Sequence, residues 1–263
     1  MSKKPGISVC FVIKNGLVNG YPFWESLLSC CSFADEIVIS EGYSRDRTYD
    51  ALKVFQERHP NKVKLFRTNW DRFRSGCGEV IAKVSSEAIS KCSRQWVYYL
   101  QADEIIHEKN IEFIRNIPSS KFNSVKFMFA HFIGSWKPLP VGGAAYSSAI
   151  RMVRNIPAIS MVGDGWTFQG KIDPICPKEL CPMPIFHLGW VFPKNIDLKN
   201  LEQAKIYRNM KAYQDKANQS KERIEAGYAA QQGLPIPENY DDYPEVAVRL
   251  LGLFEYSLPD GVL

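Results

Sequence analysis

Trp96-Val97-Tyr98-Tyr99-Leu100-Gln101-Ala102-Asp103-Glu104 carries an unbroken apolar and aromatic run that stops at two acids. Without polar alternation, such a run predicts a strand covered on both faces, as in parallel sheets flanked by helices. In open α/β sheets the ligand lies beyond the carboxyl ends of the strands, where this acidic pair falls. Adjacent carboxylates there suit a hard cation, and a hard cation suits a diphosphate. The same acids also suit the first turn of a following helix, whose dipole favours negative charge. The stretch alone leaves both readings open.

Upstream, strand and helix signals alternate. Ile7 to Ile13 is nearly all apolar and β-branched, a buried strand. Phe23, Leu27, Leu28 and Cys31 recur at helical spacing, Glu36 to Ser40 encloses Ile37-Val38-Ile39, and Ala51, Leu52 and Phe55 mark a helix fading at His59-Pro60. Val63 to Phe66 reads as a third strand, and Val80, Ile81, Val84, Ala88 and Ile89 outline one face of a longer helix. Strands alternating with helices over short connections predict a parallel sheet built by right-handed crossovers.

Downstream the pattern loosens. Ser124 to Ile133 and Ala149 to Val153 read as strands around a loop with Gly142-Gly143, and 134–193 scatters Pro, Gly and Trp as a substrate-facing region does. From Leu198 to Ala230 the chain is polar and helix-prone, with Lys199, Lys205, Arg208, Lys211 and Lys216, and reads as a solvated helical appendage. A membrane-surface role for it is weak, because Ile206, Met210 and Tyr213 make only a thin apolar face.

Composition narrows the classes. The 263 residues, 45% hydrophobic and 23% charged, suffice for a large core. A net charge of +5 is too mild for a nucleic-acid binder and suits an enzyme handling an anionic ligand. The start lacks a signal-peptide pattern and no run is long enough to span a bilayer, so a soluble cytoplasmic protein is expected. Seven cysteines without regular spacing read as core residues in a reducing compartment, Cys10 in a strand and Cys30-Cys31 in a helix. Cys176 and Cys181 lack the second pair that a zinc site needs.

Several segments resemble, in order, the family-two glycosyltransferases of the GT-A fold. Ile7-Ser8-Val9-Cys10-Phe11-Val12-Ile13-Lys14-Asn15 is similar to their opening strand, and Asp35 to Thr48, with Glu41 and Asp46, to their second motif. Gln101-Ala102-Asp103-Glu104 resembles the Asp-Ala-Asp-Glu form of their metal-binding motif, and Pro184 to Val191 resembles a His-aromatic-Gly-Trp run. The resemblance covers residues 7–105 and, more loosely, 145–192. It implies a Rossmann-like, mostly parallel central sheet flanked by helices, with a C-terminal helical appendage; the expected division is 1–193 for the catalytic domain and 194–263 for the extension.

The resemblance implies site roles by position. Val12 and Lys14 would line the base pocket, Glu41 would recognise base or ribose, and Asp46 would lie near the nucleotide or cap the next helix. Asp103 and His187 would hold Mn²⁺ or Mg²⁺; His187 could equally be a packed histidine satisfied by a carbonyl. Gln101 stands where relatives carry an acid and can still bond ribose hydroxyls. Ser85-Ser86 stands where relatives carry Arg-Asn, so Lys83, Arg67, Arg72 or Arg74 would supply the missing charge.

The implied reaction is metal-dependent, inverting sugar transfer from a nucleotide-diphosphate sugar, UDP by default, to a glycan or other hydroxyl acceptor. Asp164, in Val162-Gly163-Asp164-Gly165-Trp166, is the candidate base, with Trp166 able to stack on a sugar; the same residues also fit a plain turn. Glu104 is the alternative base or a support for the metal. His131 and Trp136 are acceptor-side or core residues, and His107 starts the helix after the acids, exposed. Two alternatives stand: a degenerate nucleotide- or sugar-binding module, and a nucleotidyltransferase, whose Gly-rich basic loop Ile13-Lys14-Asn15-Gly16 barely matches.

Overall fold

The computed structural model describes residues 3–73, 79–134, 136, 146–175, 181, 183–192, 195, 198–200, 242–251, 253 and 255–263. Arg74, Gly142-Gly143, Cys176 and the expected polar helix beyond residue 200 lie outside the described residues.

The first half forms β1 (Lys4–Ile13), α1 (Phe23–Cys30), β2 (Glu36–Glu41), α2 (Thr48–Arg58), β3 (Val63–Arg67), α3 (Glu79–Ser90) and β4 (Arg94–Gln101). The remaining strands are β5 (Glu104–Ile105), β6 (Ser124–Ile133), β7 (Ser148–Arg154), β8 (Ser160–Val162), β9 (Thr167–Gln169), β10 (Pro174–Ile175) and β11 (Ile185–Trp190), with helices α4 (Ile111–Asn116) and α5 (Glu245–Val248). Local chemistry sets the helix limits. α2 has Asp50 in its first turn and Arg58 in its last, both favoured by the helix dipole, and stops before Pro60.

The main sheet runs β3-β2-β1-β4-β7-β6-β11-β5, with β10 beside β6. The first four strands are mutually parallel, while β7 is antiparallel to β4 and β6, and β5 is antiparallel to β11. β4 is covered on both sides, as its run predicts. Trp96, Tyr98 and Leu100 enter one hydrophobic cluster, and Val97 and Tyr99 enter a second. β1 divides likewise, Val9, Phe11 and Ile13 against Cys10 and Val12.

The chain moves from β1 outward to β2 and β3, then returns to place β4 on the other side of β1. That reversal opens a crevice at the carboxyl ends of β1 and β4, where neighbouring connections leave in opposite directions. The register there is Val12 opposite Gln101. The β8–β9 hairpin leans on α3, where Met161 N donates to Ser86 Oγ at 3.1 Å. No helix among the described residues is long and apolar enough to cross a membrane.

Candidate active site

A cavity of about 330 Å³ occupies the crevice. Val12, Ile13 and Lys14 from the end of β1 and Gln101, Ala102 and Asp103 from the end of β4 form its floor. Asp164 and Trp166, from the tip of the β8–β9 hairpin, line it together with His187, Trp190 and Lys199. Trp70, Ile81 and Tyr99 add apolar wall.

β11 is brought to this point by backbone pairing. His187 stands opposite Glu104 across β11–β5, and Leu188 N donates to Asp103 O at 2.8 Å. His187 Nε2 thus lies 3.7 Å from Asp103 Oδ2. Lys199 Nζ lies 3.6 Å from the same oxygen, donates to Gly189 O, and sits 4.5 Å and 4.4 Å from the Tyr21 and Trp190 rings. Gly189 permits this convergence, since a Cβ there would stand 2.3 Å from Asp103 Oδ2 and 2.8 Å from Lys199 Nζ.

A second histidine sets the proton positions. His131 Nε2 meets Tyr146 O at 2.8 Å; a carbonyl only accepts, so this nitrogen carries hydrogen. In a neutral ring its Nδ1 is then bare and accepts from His187 Nδ1 at 3.2 Å. His187 Nε2 is left with a lone pair beside Asp103. Burial pushes His187 down to about 4 and His131 below its ordinary value, which keeps both rings neutral at pH 7. Burial works to raise the Asp103 carboxyl, but its neighbours hold it below the usual range. Those neighbours are His187 first, through the charge its ring takes when protonated, and then the cations Lys199 and Arg151, although burial lowers Lys199 itself to about 8.

Two bare donors 3.7 Å apart, with no hydrogen between them, suit a shared divalent cation, because each bond to one is about 2.1 Å long. The fit extends to two protein ligands. No group of three or more His, Cys, Asp or Glu side chains suited to a metal converges among the described residues. An ion here would complete its shell with ligand oxygens, as Mg²⁺ commonly does with phosphates.

The other expected residues fall elsewhere. Glu104 is fully buried and held by Arg151 Nη2 at 2.6 Å and Nε at 3.0 Å; it does not line the cavity and cannot reach an acceptor hydroxyl. Glu41, expected to face the nucleoside, is also buried, accepting from Ser44 N, Tyr43 N and Arg67 Nε. Asp46 accepts from Val18 N at 2.9 Å and Thr48 N at 3.0 Å, tying the loop after β1 to the start of α2. Lys83 pairs with Glu79 at 3.2 Å, Arg67 with Glu41 and Arg72 with Glu87, all away from the cavity. The cations lining it among the described residues are Lys14 and Lys199.

Lys199, read from sequence as part of a solvated face, is buried instead. His131 stands behind His187 rather than on an acceptor side, and Trp136 packs against Phe132 and Phe192. His107 is buried rather than exposed; its Nδ1 accepts from Lys109 N at 3.2 Å. Gln101 Nε2 donates to Gly165 O at 3.2 Å.

No family model matches the chain, and no curated protein does. Among solved structures, residues 1–349 of S. aureus TarS are 12% identical, with 90% of this chain and 76% of that chain covered and a TM-score of 0.44. The mannosyltransferase PcManGT from Pyrobaculum calidifontis, in complex with GDP-Man and Mn²⁺, is 16% identical over 47% of this chain and 35% of its own, at 0.35. The glucosyl-3-phosphoglycerate synthase from Mycobacterium tuberculosis, with Mg²⁺ and UDP, is 17% identical over 48% and 44%, at 0.32.

Proposed function

We propose that this protein is a glycosyltransferase using a nucleotide-diphosphate sugar as donor and a hydroxyl group, on a glycan or similar molecule, as acceptor. The observation that carries the reading is the convergence of Asp103, His187 and Lys199 at the end of β4, in one cavity with Asp164 and Trp166. The apolar wall of Val12, Trp70 and Ile81 suits a nucleoside, and Trp166, 42% exposed, offers a ring face to a sugar.

Asp103 Oδ2 and His187 Nε2 would hold Mn²⁺ or Mg²⁺. When bound, the ion supplies Lewis-acid neutralisation of the departing diphosphate. The chain's own residues do the remainder. Asp164 takes the proton of the acceptor hydroxyl as that oxygen bonds to the anomeric carbon. The bond from that carbon to the diphosphate oxygen breaks, and its electron pair leaves with the nucleoside diphosphate. Attack opposite the leaving group inverts the anomeric centre. Gln101 and Arg151 position the hairpin that carries Asp164, through Gly165 O and Trp166 O. In this reading residues 1–193 carry the donor site, and the extension 194–263 contributes Lys199.

Calorimetric titration of UDP, GDP and dTDP, each with Mn²⁺ or with chelator, against wild type and Asp103→Ala tests the reading. One nucleotide is expected to bind with Mn²⁺ and to lose about tenfold or more in the variant. Binding without release of nucleotide from any matching nucleotide sugar would favour a degenerate binding module. Absence of binding by all three would sink the proposal.

A further inference from the structure

We propose that Lys199 reads the second phosphate of the donor, giving the cavity a preference for nucleoside diphosphates over monophosphates that persists without a divalent cation. The inference deepens the donor-site reading above and rests on it.

On α3, Ser85 bonds Tyr99 OH at 3.1 Å, Ser86 accepts from the hairpin, and the residue that lines the cavity is the apolar Ile81. Of the two lysines lining the cavity, Lys14 lies at the end of β1, with Nζ 5.8 Å from the centre of the Trp70 ring. Lys199 lies at the end of β4, beside the carboxylate and imidazole that suit a cation. Asp103 offers only acceptor oxygens and already faces Lys199 Nζ at 3.6 Å, so the ammonium is the donor of this set that phosphate oxygens entering the cavity can meet. An ammonium is a compact point charge suited to phosphate oxygens.

The position is built rather than incidental. Lys199 is 2% exposed, and a buried ammonium is costly unless paired. It is held from three sides by Gly189 O, the Tyr21 ring and the Trp190 ring. The 3.6 Å separation from Asp103 Oδ2 exceeds a normal hydrogen bond. A merely structural lysine would need no cavity beside it, whereas this one lines the space that Asp103 and His187 also line.

The test compares UDP with UMP, GDP with GMP and dTDP with dTMP by calorimetry, in chelator and again with Mn²⁺, on the full chain. The variants are Lys199→Met, Lys199→Arg and the charge-balanced double variant Asp103→Asn/Lys199→Met. In chelator, wild type is expected to bind one diphosphate about tenfold or more tighter than its monophosphate. Lys199→Met should bring the two within about twofold, and Lys199→Arg should retain part of the preference. If Lys199→Met fails to fold, the double variant, which leaves no buried charge unpaired, carries the same expectation. A preference that survives removal of the ammonium, or a wild type indifferent to the second phosphate in chelator, overturns the role of Lys199 and leaves the donor site standing. A wild type that binds no nucleotide overturns both.

Discussion

Gln101 shows how a departure from a motif can be a structural choice. An amide at this position donates to Gly165 O, and an aspartate could not. Gly165, at φ 80°, already lies close under Ile81 and Tyr99, so the hairpin tip is seated by contact and latched by one side chain. Gln101→Asp should therefore loosen the tip by about 1–3 kcal/mol, the cost of leaving a buried carbonyl without its donor. Hydrogen exchange of 160–169 should quicken and Trp166 emission should shift; unchanged exchange would show that the latch is dispensable. At this scale the acids after a buried strand stand out locally, whereas Asp103 and His187 were singled out as ligands only by the family resemblance. The neighbouring Glu104, expected as an alternative base or a support for the metal, does not face the cavity as Asp103 does; it is taken by Arg151, a partner distant in sequence and brought alongside by packing.

Elements are joined by a second buried carboxylate. Glu36 of β2 accepts from Ser8 of β1, Lys64 of β3, and Ser93 just before β4. One side chain thereby ties the amino ends of four parallel strands. Burial works to raise this carboxyl, but the bonds from Lys64, Ser8 and Ser93 outweigh it and hold it at about 2. A folded value below the unfolded one, about 4.3, means stability that is fully present above the unfolded value. It is lost as pH falls through the folded value. Glu36→Gln should cost about 1–3 kcal/mol at neutral pH. In urea unfolding, its difference from wild type should shrink between about pH 4 and pH 2. A pH-independent difference would assign the effect to packing instead. The four parallel strands, with β6 and β7, were legible because each centres on a short apolar run bounded by turns, whereas β5 and β8 to β11 are too short or too mixed to show that pattern.

Across the whole molecule, one hydrophobic cluster runs from Ile7 to Val262. The segment 242–263 contributes Tyr243, Ala247, Leu250 and Tyr256 to it, and Arg249 pairs with the buried Glu25 of α1, which also accepts from Tyr256 OH at 3.1 Å. Arg249→Met leaves Glu25 buried beside a tyrosine alone, and burial already raises that carboxyl. The variant should lose about 1–3 kcal/mol, and protease should clip the C-terminal segment faster than in wild type. Equal clipping rates would show that apolar packing alone secures the segment.

Strand-helix alternation, the covering of β4 on both faces and the position of an acid at its carboxyl end were determined by sequence, because each depends on neighbours within a few residues. Tertiary structure alone decided how the polar groups around that acid are held. His187 reaches Asp103 because β11 pairs with β5, His131 sets the hydrogen on His187 from a parallel strand, and Lys199 enters from beyond the expected domain edge at 193. None of these contacts has a local signature. A lysine in a polar stretch reads as solvated until the fold places its ammonium between two rings and a carboxylate, where charge and space, not pattern, fix its role.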